Sequence, residues 1–313
     1  MNTFGEKIRL SIFGESHGPA VGVVIDGLPP GFAPDMEAVA REMARRAPGK
    51  SELETSRAEA DAVELVSGLF EGKTTGAPLC GVIRNTDARS GDYQRNLPRP
   101  GHADAAAHVK YKGFADYRGG GHFSGRLTAP LVFAGALAKQ LLPGVTITAQ
   151  PLSIGGKAPK DETILRAKAD GDSVGGVIAC AVNGLPAGLG EPFFGSVESR
   201  LSALLFSIPA VKAVEFDDGF ARSGMRGSLS NRTPFGILGG ITTGETLRFC
   251  VAVKPTPSIA LEQDTIDLAT GKAAKITVTG RHDPCIVPRA VPVVEAAAAI
   301  GLLDLWLAGG FSL

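Results

Sequence analysis

Four of the five histidines sit in short loops rich in Gly or Pro and flanked by charge. The loops read Gly14-Glu15-Ser16-His17-Gly18, Arg99-Pro100-Gly101-His102-Ala103-Asp104, Arg118-Gly119-Gly120-Gly121-His122 and Arg281-His282-Asp283-Pro284. Histidine is the side chain that gains or loses a proton near neutral pH. Glycine neighbours let a ligand approach the backbone closely. One such loop is ordinary surface, whereas four together point to a site that moves protons. His108 is the exception: it lies in a helix-like stretch and reads as structural.

Arginine gathers in the same places: Arg45, Arg46, Arg57, Arg95, Arg99, Arg118, Arg126, Arg281 and Arg289 lie in or near these loops. The planar guanidinium fork grips carboxylate and phosphate oxygens. Each Arg alone reads equally well as the surface partner of Glu15, Glu59, Asp61 or Asp116, but together they fit a small polyanion. The triple glycine also precedes a helix expected from Arg126 or Leu127, and N–H groups at such a start attract anions. This is neither a P-loop nor a dinucleotide fingerprint. Gly236-Ile237-Leu238-Gly239-Gly240 is a second glycine turn. The histidines are not spaced as a metal ligand set.

Composition narrows the class. The chain has 313 residues, 44% hydrophobic and 20% charged, enough for a sizeable core. Lys plus Arg equals Asp plus Glu at 32 each, so anion chemistry must come from local clustering, and nucleic acid is not an expected partner. Cys80, Cys180, Cys250 and Cys285 are widely separated and read as buried thiols in a reducing compartment. The polar N-terminus does not read as a signal peptide, and Glu295 and Asp304 interrupt the most apolar stretch. The expectation is a soluble, cytoplasmic protein without a membrane partner.

These loops need elements to hold them. Short β-branched runs bounded by turn residues predict strands at Ile8–Phe13, Val21–Asp26, Ala62–Ser67, Leu79–Arg84, Val145–Ala149, Gly176–Asn183, Val211–Phe216, Thr246–Lys254 and Ala273–Thr279. Asp35–Arg46 has one apolar face, a capping Asp35 and a Pro48-Gly49 stop, so it predicts a helix. Leu127–Leu142 and Ala290–Ala308 are apolar almost all round and predict buried helices; Val197–Phe206 is a shorter one. Paired strands with a few apolar helices indicate an α+β fold, here assigned as one domain over 1–313.

At these loops the sequence resembles the chorismate synthase family from end to end. The segments that carry the resemblance begin with Phe13-Gly14-Glu15-Ser16-His17-Gly18, Asp26-Gly27-Leu28-Pro29-Pro30-Gly31 and Arg45-Arg46-Ala47-Pro48-Gly49. They continue through Arg99-Pro100-Gly101-His102-Ala103-Asp104 and Asp116-Tyr117-Arg118-Gly119-Gly120-Gly121 to Lys254-Pro255-Thr256 and Gly280-Arg281-His282-Asp283-Pro284-Cys285. Their order along the chain makes the match specific. It implies a sandwich of antiparallel β-sheets around central apolar helices, assembled as a homotetramer. It also implies a reduced-FMN-dependent lyase that removes phosphate from 5-enolpyruvylshikimate-3-phosphate, losing the 3-phosphate and a C6 hydrogen from opposite faces. NADPH is a possible external reductant.

By the same resemblance, His17 stabilises or protonates reduced flavin, His102 is the general acid toward phosphate, and Asp283 relays the C6 proton. Ser16 and Ser124 add hydrogen bonds. Ser124, Gly239, Lys254, Thr256, Ser258 and Arg281 hold FMN, while Arg45, Arg46, Arg57, Arg118 and Arg126 hold the anionic substrate. The chain departs from the family where the usual Arg-Ser-Ser-Ala-Arg-Glu-Thr becomes His122-Phe123-Ser124-Gly125-Arg126-Leu127-Thr128. There His122 is expected to replace a guanidinium as anion donor, and Phe123 to pack against the flavin. Ala47 replaces a third Arg, and Glu52 replaces another beside Lys50. Two rival readings are a flavin-binding homologue without lyase activity and a non-catalytic polyanion-binding module. The 6% aromatic content and balanced charge speak against the second.

Overall fold

The computed structural model describes residues 2–49, 53, 61–86, 91, 93–278, 280 and 282–313. The first sheet is antiparallel, with strands β1 (Thr3–Phe4), β2 (Arg9–Gly14), β3 (Ala20–Asp26), β4 (Val63–Ser67) and, after a small hairpin of β5 (Leu69–Phe70) and β6 (Lys73–Thr74), β7 (Leu79–Arg84). Its spatial order is β1-β2-β3-β7-β4. The second sheet holds β8 (Thr146–Ile154), β9 (Gly176–Asn183), β10 (Val211–Phe216) and β13 (Leu247–Val253), in the order β10-β13-β9-β8. Two further hairpins pair β11 (Ile237–Leu238) with β12 (Ile241–Thr242), and β14 (Gln263–Ile266) with β15 (Ala273–Ile276).

Between the sheets lie the apolar helices. Helix α1 (Met36–Arg46) starts at Asp35, whose side chain accepts from Ala38 N at 2.9 Å, the cap expected from sequence. It is followed by α2 (Asp104–Lys110), α3 (Thr128–Gln140), α4 (Asp161–Ala169), α5 (Val197–Ser207), two short turns α6 (Gly219–Ser223) and α7 (Gly227–Ser230), and α8 (Val287–Ala308). Helices α3 and α8 approach so closely that a Cβ on Gly135 would stand 2.3 Å from Ala296 Cβ. A Cβ on Gly81 would stand 2.6 Å from the Phe133 ring, which marks where α3 lies under the first sheet. One hydrophobic cluster runs from Val21 and Ile83 through Phe133 and Ile300 to Val182 and Phe249.

The two carboxylates that interrupt the apolar stretch of α8 are both satisfied. Glu295, 3% exposed, takes Arg45, Lys139 and the Ala149 N–H. Asp304, 1% exposed, accepts from the N–H groups of Glu6, Lys7 and Ile8 and from Arg200. A buried carboxylate persists only with such partners. Helix α8 is the one helix among the described residues long and apolar enough to cross a membrane, and it is buried in this core.

The strand expectations hold with shifts of a residue or two, apart from β8, which runs on to Ile154 through a bulge at Pro151/Ser153, and β15, which ends at Ile276. The sequence reading missed α4 and the β14 strand, whose short polar segments lack a strong period. All four cysteines are free thiols.

Candidate active site

The triple glycine is the centre of the site. Gly119, Gly120 and Gly121 all have positive φ, at 59°, 81° and 53°, which favours glycine. A Cβ on Gly119 would stand 2.3 Å from His17 Cδ2 and 2.4 Å from its Nε2. A Cβ on Gly120 would stand 2.9 Å from His102 Cε1 and 3.1 Å from its Nε2. The loop thus brings His17 and His102 to neighbouring residues of one backbone. Ser16, 1% exposed, is tied to it by donating its N–H to Gly121 O at 3.0 Å.

His102 forms a dyad with Asp104, Nδ1 to Oδ1 at 2.6 Å. That bond holds Nδ1–H toward the carboxylate and leaves Nε2 facing Gly120. Burial pushes the His102 imidazole below its ordinary value; the Asp104 hydrogen bond works against this, and the charge of Arg99 reinforces it. Burial alone would raise the Asp104 carboxyl, but hydrogen bonds from His102 and Arg99 hold it well below the carboxylate range. Arg99 is itself buried. It donates from Nε to Asp104 Oδ2 at 2.8 Å and from Nη1 to Ser258 Oγ at 2.9 Å, and its Nη2 lies 3.3 Å from His102 Nε2.

Ser258 brings the Lys254–Ser258 segment to this triad, and Pro257 packs beside Gly101. Here the side chains fit an anionic, polar ligand. The Thr256 hydroxyl is buried and has no hydrogen-bond partner among the described residues. Lys254 is half-buried, and its amine is lowered by burial and by the charges of Lys212 and Arg99. A hydroxyl without a bond and cations crowded together are both stabilised by an arriving phosphate.

A second cluster lies behind the His17 loop. Asp61, 3% exposed, is ion-paired to both Arg46 and Arg126, each 4% exposed. Sequence reading offered Asp61 only as a surface partner; it is instead a buried carboxylate shared by two guanidinium groups. Burial pulls Arg46 down to about 10, so it remains charged at neutral pH. Burial would raise Asp61, but Arg46 and Arg126 together hold it below its ordinary value. Two cations and one anion leave a net positive charge. Arg126 Nε also donates to Asn85 Oδ1 at 2.9 Å, and Asn85 donates to Glu15 O and Gly18 O, which connects this cluster to His17. Asp283 pairs with Arg289, which donates to Arg46 O at 3.1 Å.

The other residues expected at the site have settings of their own. Arg45, expected to hold the substrate, pairs with Glu42 and Glu295. Arg118 pairs with Asp116 and is partly exposed. His122 differs most: Nδ1 bonds Gly14 O at 3.0 Å and Nε2 lies 3.1 Å from Asn2 Oδ1, so both ring nitrogens are engaged within the protein in this conformation. Its ring braces the end of β2 and the N-terminal segment. Ser124 accepts from Arg126 N at 3.3 Å and caps a single turn at Gly125–Leu127, so α3 begins at Thr128. Phe123 packs at 6.2 Å from the Tyr111 ring. Gly239 turns the β11–β12 hairpin with open space around it. Arg57 and Arg281 lie outside the described residues.

Sequence reasoning missed four participants. Asp104 stands two residues after His102 inside a motif already singled out, which was a usable signal. Arg99 was noted only as one of many arginines. Tyr93 and Asn85 carry no local signal: their contacts with His17 and Arg126 come from tertiary placement. A cleft open to solvent runs beside the cluster and is lined in part by Tyr93, Arg99, Asp104, Gly120 and Phe123. Chemically, the arrangement offers an oriented histidine, cations and backbone that a polyanion can approach closely.

Comparison with known proteins supplies the family. The family profile described as chorismate synthase matches residues 8–307. A chorismate synthase of Chitinophaga pinensis is 47% identical over 322 residues, covering 98% of this chain and 97% of its own. One of Korarchaeum cryptofilum is 44% identical over 346 residues, covering 96% of each. A solved structure titled "Crystal Structure of Chorismate Synthase" superposes with a TM-score of 0.74 at 26% identity, over 97% of this chain and 93% of that one. With motifs, fold and near-full-length similarity in accord, this chain belongs to the chorismate synthase family.

Proposed function

We propose that the protein is a carbon–oxygen lyase of the shikimate pathway that converts 5-enolpyruvylshikimate-3-phosphate to chorismate and phosphate, with reduced FMN as cofactor. The observation that carries this reading is the glycine step that holds His17 against Gly119 and His102 against Gly120. Near-full-length identity to chorismate synthases supports it.

Reduced FMN, when bound, supplies electron density that weakens the C3–O bond, with no net redox change. The Thr256 hydroxyl, Lys254 and Ser258 would hold it, together with Arg281, Ser124 and Gly239 on the family pattern. His17 lies against the glycine step and stabilises the reduced, anionic form. The substrate's phosphate and two carboxylates are met by Arg46 and Arg126, with Arg57 added on the family pattern. His102 is held with Nε2 toward the loop. The arriving dianion favours its protonated form, and Nε2–H then delivers the proton to the departing phosphate. Asp283, fixed by Arg289, receives the C6 proton by relay.

We further propose a homotetramer in the cytoplasm. Exposed Phe114, Phe193 and Phe194 are apolar surface that assembly would cover. NADPH would act as an external source of electrons. The alternatives, a flavin-binding homologue without lyase activity and a polyanion-binding module, lack a comparable supporting observation. The test is anaerobic chorismate formation from the substrate with dithionite-reduced FMN. Wild type should turn over, and His102→Ala should be slower by about 10²–10⁴-fold. No chorismate from wild type would refute the reading.

A further inference from the structure

Tyr93 is on none of the loops in which histidine and glycine cluster, yet three members of the site meet at its ring. The His17 imidazole lies 5.2 Å away, centroid to centroid, at an interplanar angle of 88°. The His282 ring lies 6.3 Å away at 79°. The Arg99 guanidinium carbon stands over the Tyr93 ring at 5.3 Å from its centroid. Edge-to-face contact is a favoured arrangement of aromatic rings, and a cation within about 6 Å of a ring face is attracted to it. Arg99 is the same side chain that grips Asp104 and approaches His102. Tyr93 therefore touches His17 on one side and the support of His102 on another. It also lines the cleft.

We propose that Tyr93 is a positioning residue of this active site, whose ring fixes the His17 imidazole and joins it to the Arg99–Asp104–His102 triad. The proposal rests on the reading that His17 and His102 serve catalysis. The aromatic ring is what matters in it: an imidazole without that wall gains rotamer freedom, and misplacing a catalytic group lowers turnover more than substrate binding. A part in the fold alone would show as lost stability with kinetics unchanged in the folded fraction.

The test compares Tyr93→Phe, which keeps the ring, with Tyr93→Leu, which removes it, using reduced FMN and substrate without oxygen. Tyr93→Phe should stay within about threefold of the wild-type kcat, while Tyr93→Leu should lose about tenfold, on the scale of one ring contact. KM should hold within about twofold in both, since uniform binding is untouched. In protein labelled at histidine, the ring signals of His17, assigned by their loss in His17→Gln, should carry a ring-current shift. That shift persists in Tyr93→Phe and disappears in Tyr93→Leu. The proposal is overturned if Tyr93→Leu keeps the wild-type kcat, or if Tyr93→Phe is as slow as Tyr93→Leu. If Tyr93→Leu does not fold, the wild type and Tyr93→Phe decide: unshifted His17 signals overturn the proposal. A His17→Ala enzyme with full turnover would overturn the underlying reading and this proposal with it. That failure differs from failure of Tyr93 alone, where His17→Ala is slow and Tyr93→Leu is not.

Discussion

His17 and His102 stand against two successive residues of one backbone, Gly119 and Gly120, each at a distance that leaves no room for a Cβ. Both glycines have positive φ, so an alanine at either position is strained and also collides with an imidazole. Gly120→Ala should displace His102, and a misplacement near 1 Å is worth about 10²-fold in turnover. Steady-state chorismate formation checks this. A Gly120→Ala enzyme at wild-type rate would show that His102 can reorient without loss.

The His102–Asp104 dyad has a pH signature. His102 is held below its ordinary value in the folded protein, mainly by burial. The unfolded chain, titrating near 6.5, therefore binds more protons than the native state just below that pH. The part of stability linked to His102 is full above about pH 6.5 and declines as pH falls through that window. Replacing the group by His102→Asn should flatten this slope between about pH 5.5 and 7. Denaturant midpoints at several pH values read the difference, and equal slopes would contradict the assignment.

Asp104→Asn should be far more damaging than its loss of one charge suggests. It removes the acceptor that fixes the His102 tautomer and the carboxylate that neutralises buried Arg99. Turnover should fall by about 10²–10⁴-fold, as for loss of a general acid or of the group that orients it. An active Asp104→Asn enzyme would place the proton donor elsewhere.

Adjacent Arg45 and Arg46 should separate by phenotype. Arg46 shares buried Asp61 with Arg126, whereas Arg45 is partly exposed and bonds Glu42 and Glu295. Asp61→Asn should cost about 3–5 kcal/mol, because it leaves two buried guanidinium groups without their carboxylate. Arg45→Met should cost only about 1 kcal/mol after solvent screening, with the KM for substrate unchanged. Urea unfolding and substrate titration of both variants check this. A large KM rise in Arg45→Met would return Arg45 to the substrate site.

Much of this architecture was readable in the chain. Strands β9 and β10 match their predicted ends residue for residue, because each run ends at a clear turn signal, Asn183-Gly184 and Asp217-Asp218-Gly219. Helices α3 and α8 were legible because residues apolar on every side can only be buried. The histidine loops marked candidate chemistry, and two of them bring His17 and His102 to neighbouring glycines. What sequence could not carry was direction. Arg45 and Arg46 are neighbours in one helix but turn to different partners. His122 occupies a promising position, yet Gly14 and Asn2 take both its nitrogens. Tyr93 and Asp61 gain their meaning only when distant segments meet.

The central claim is elimination of phosphate with flavin reduced before and after. Its most direct measurement follows phosphate release, chorismate and the flavin spectrum together in one anaerobic mixture. The predicted result is equal amounts of phosphate and chorismate, flavin still reduced at the end, and no turnover with oxidised FMN. Phosphate released by oxidised FMN, or flavin consumed in step with product, would contradict the account.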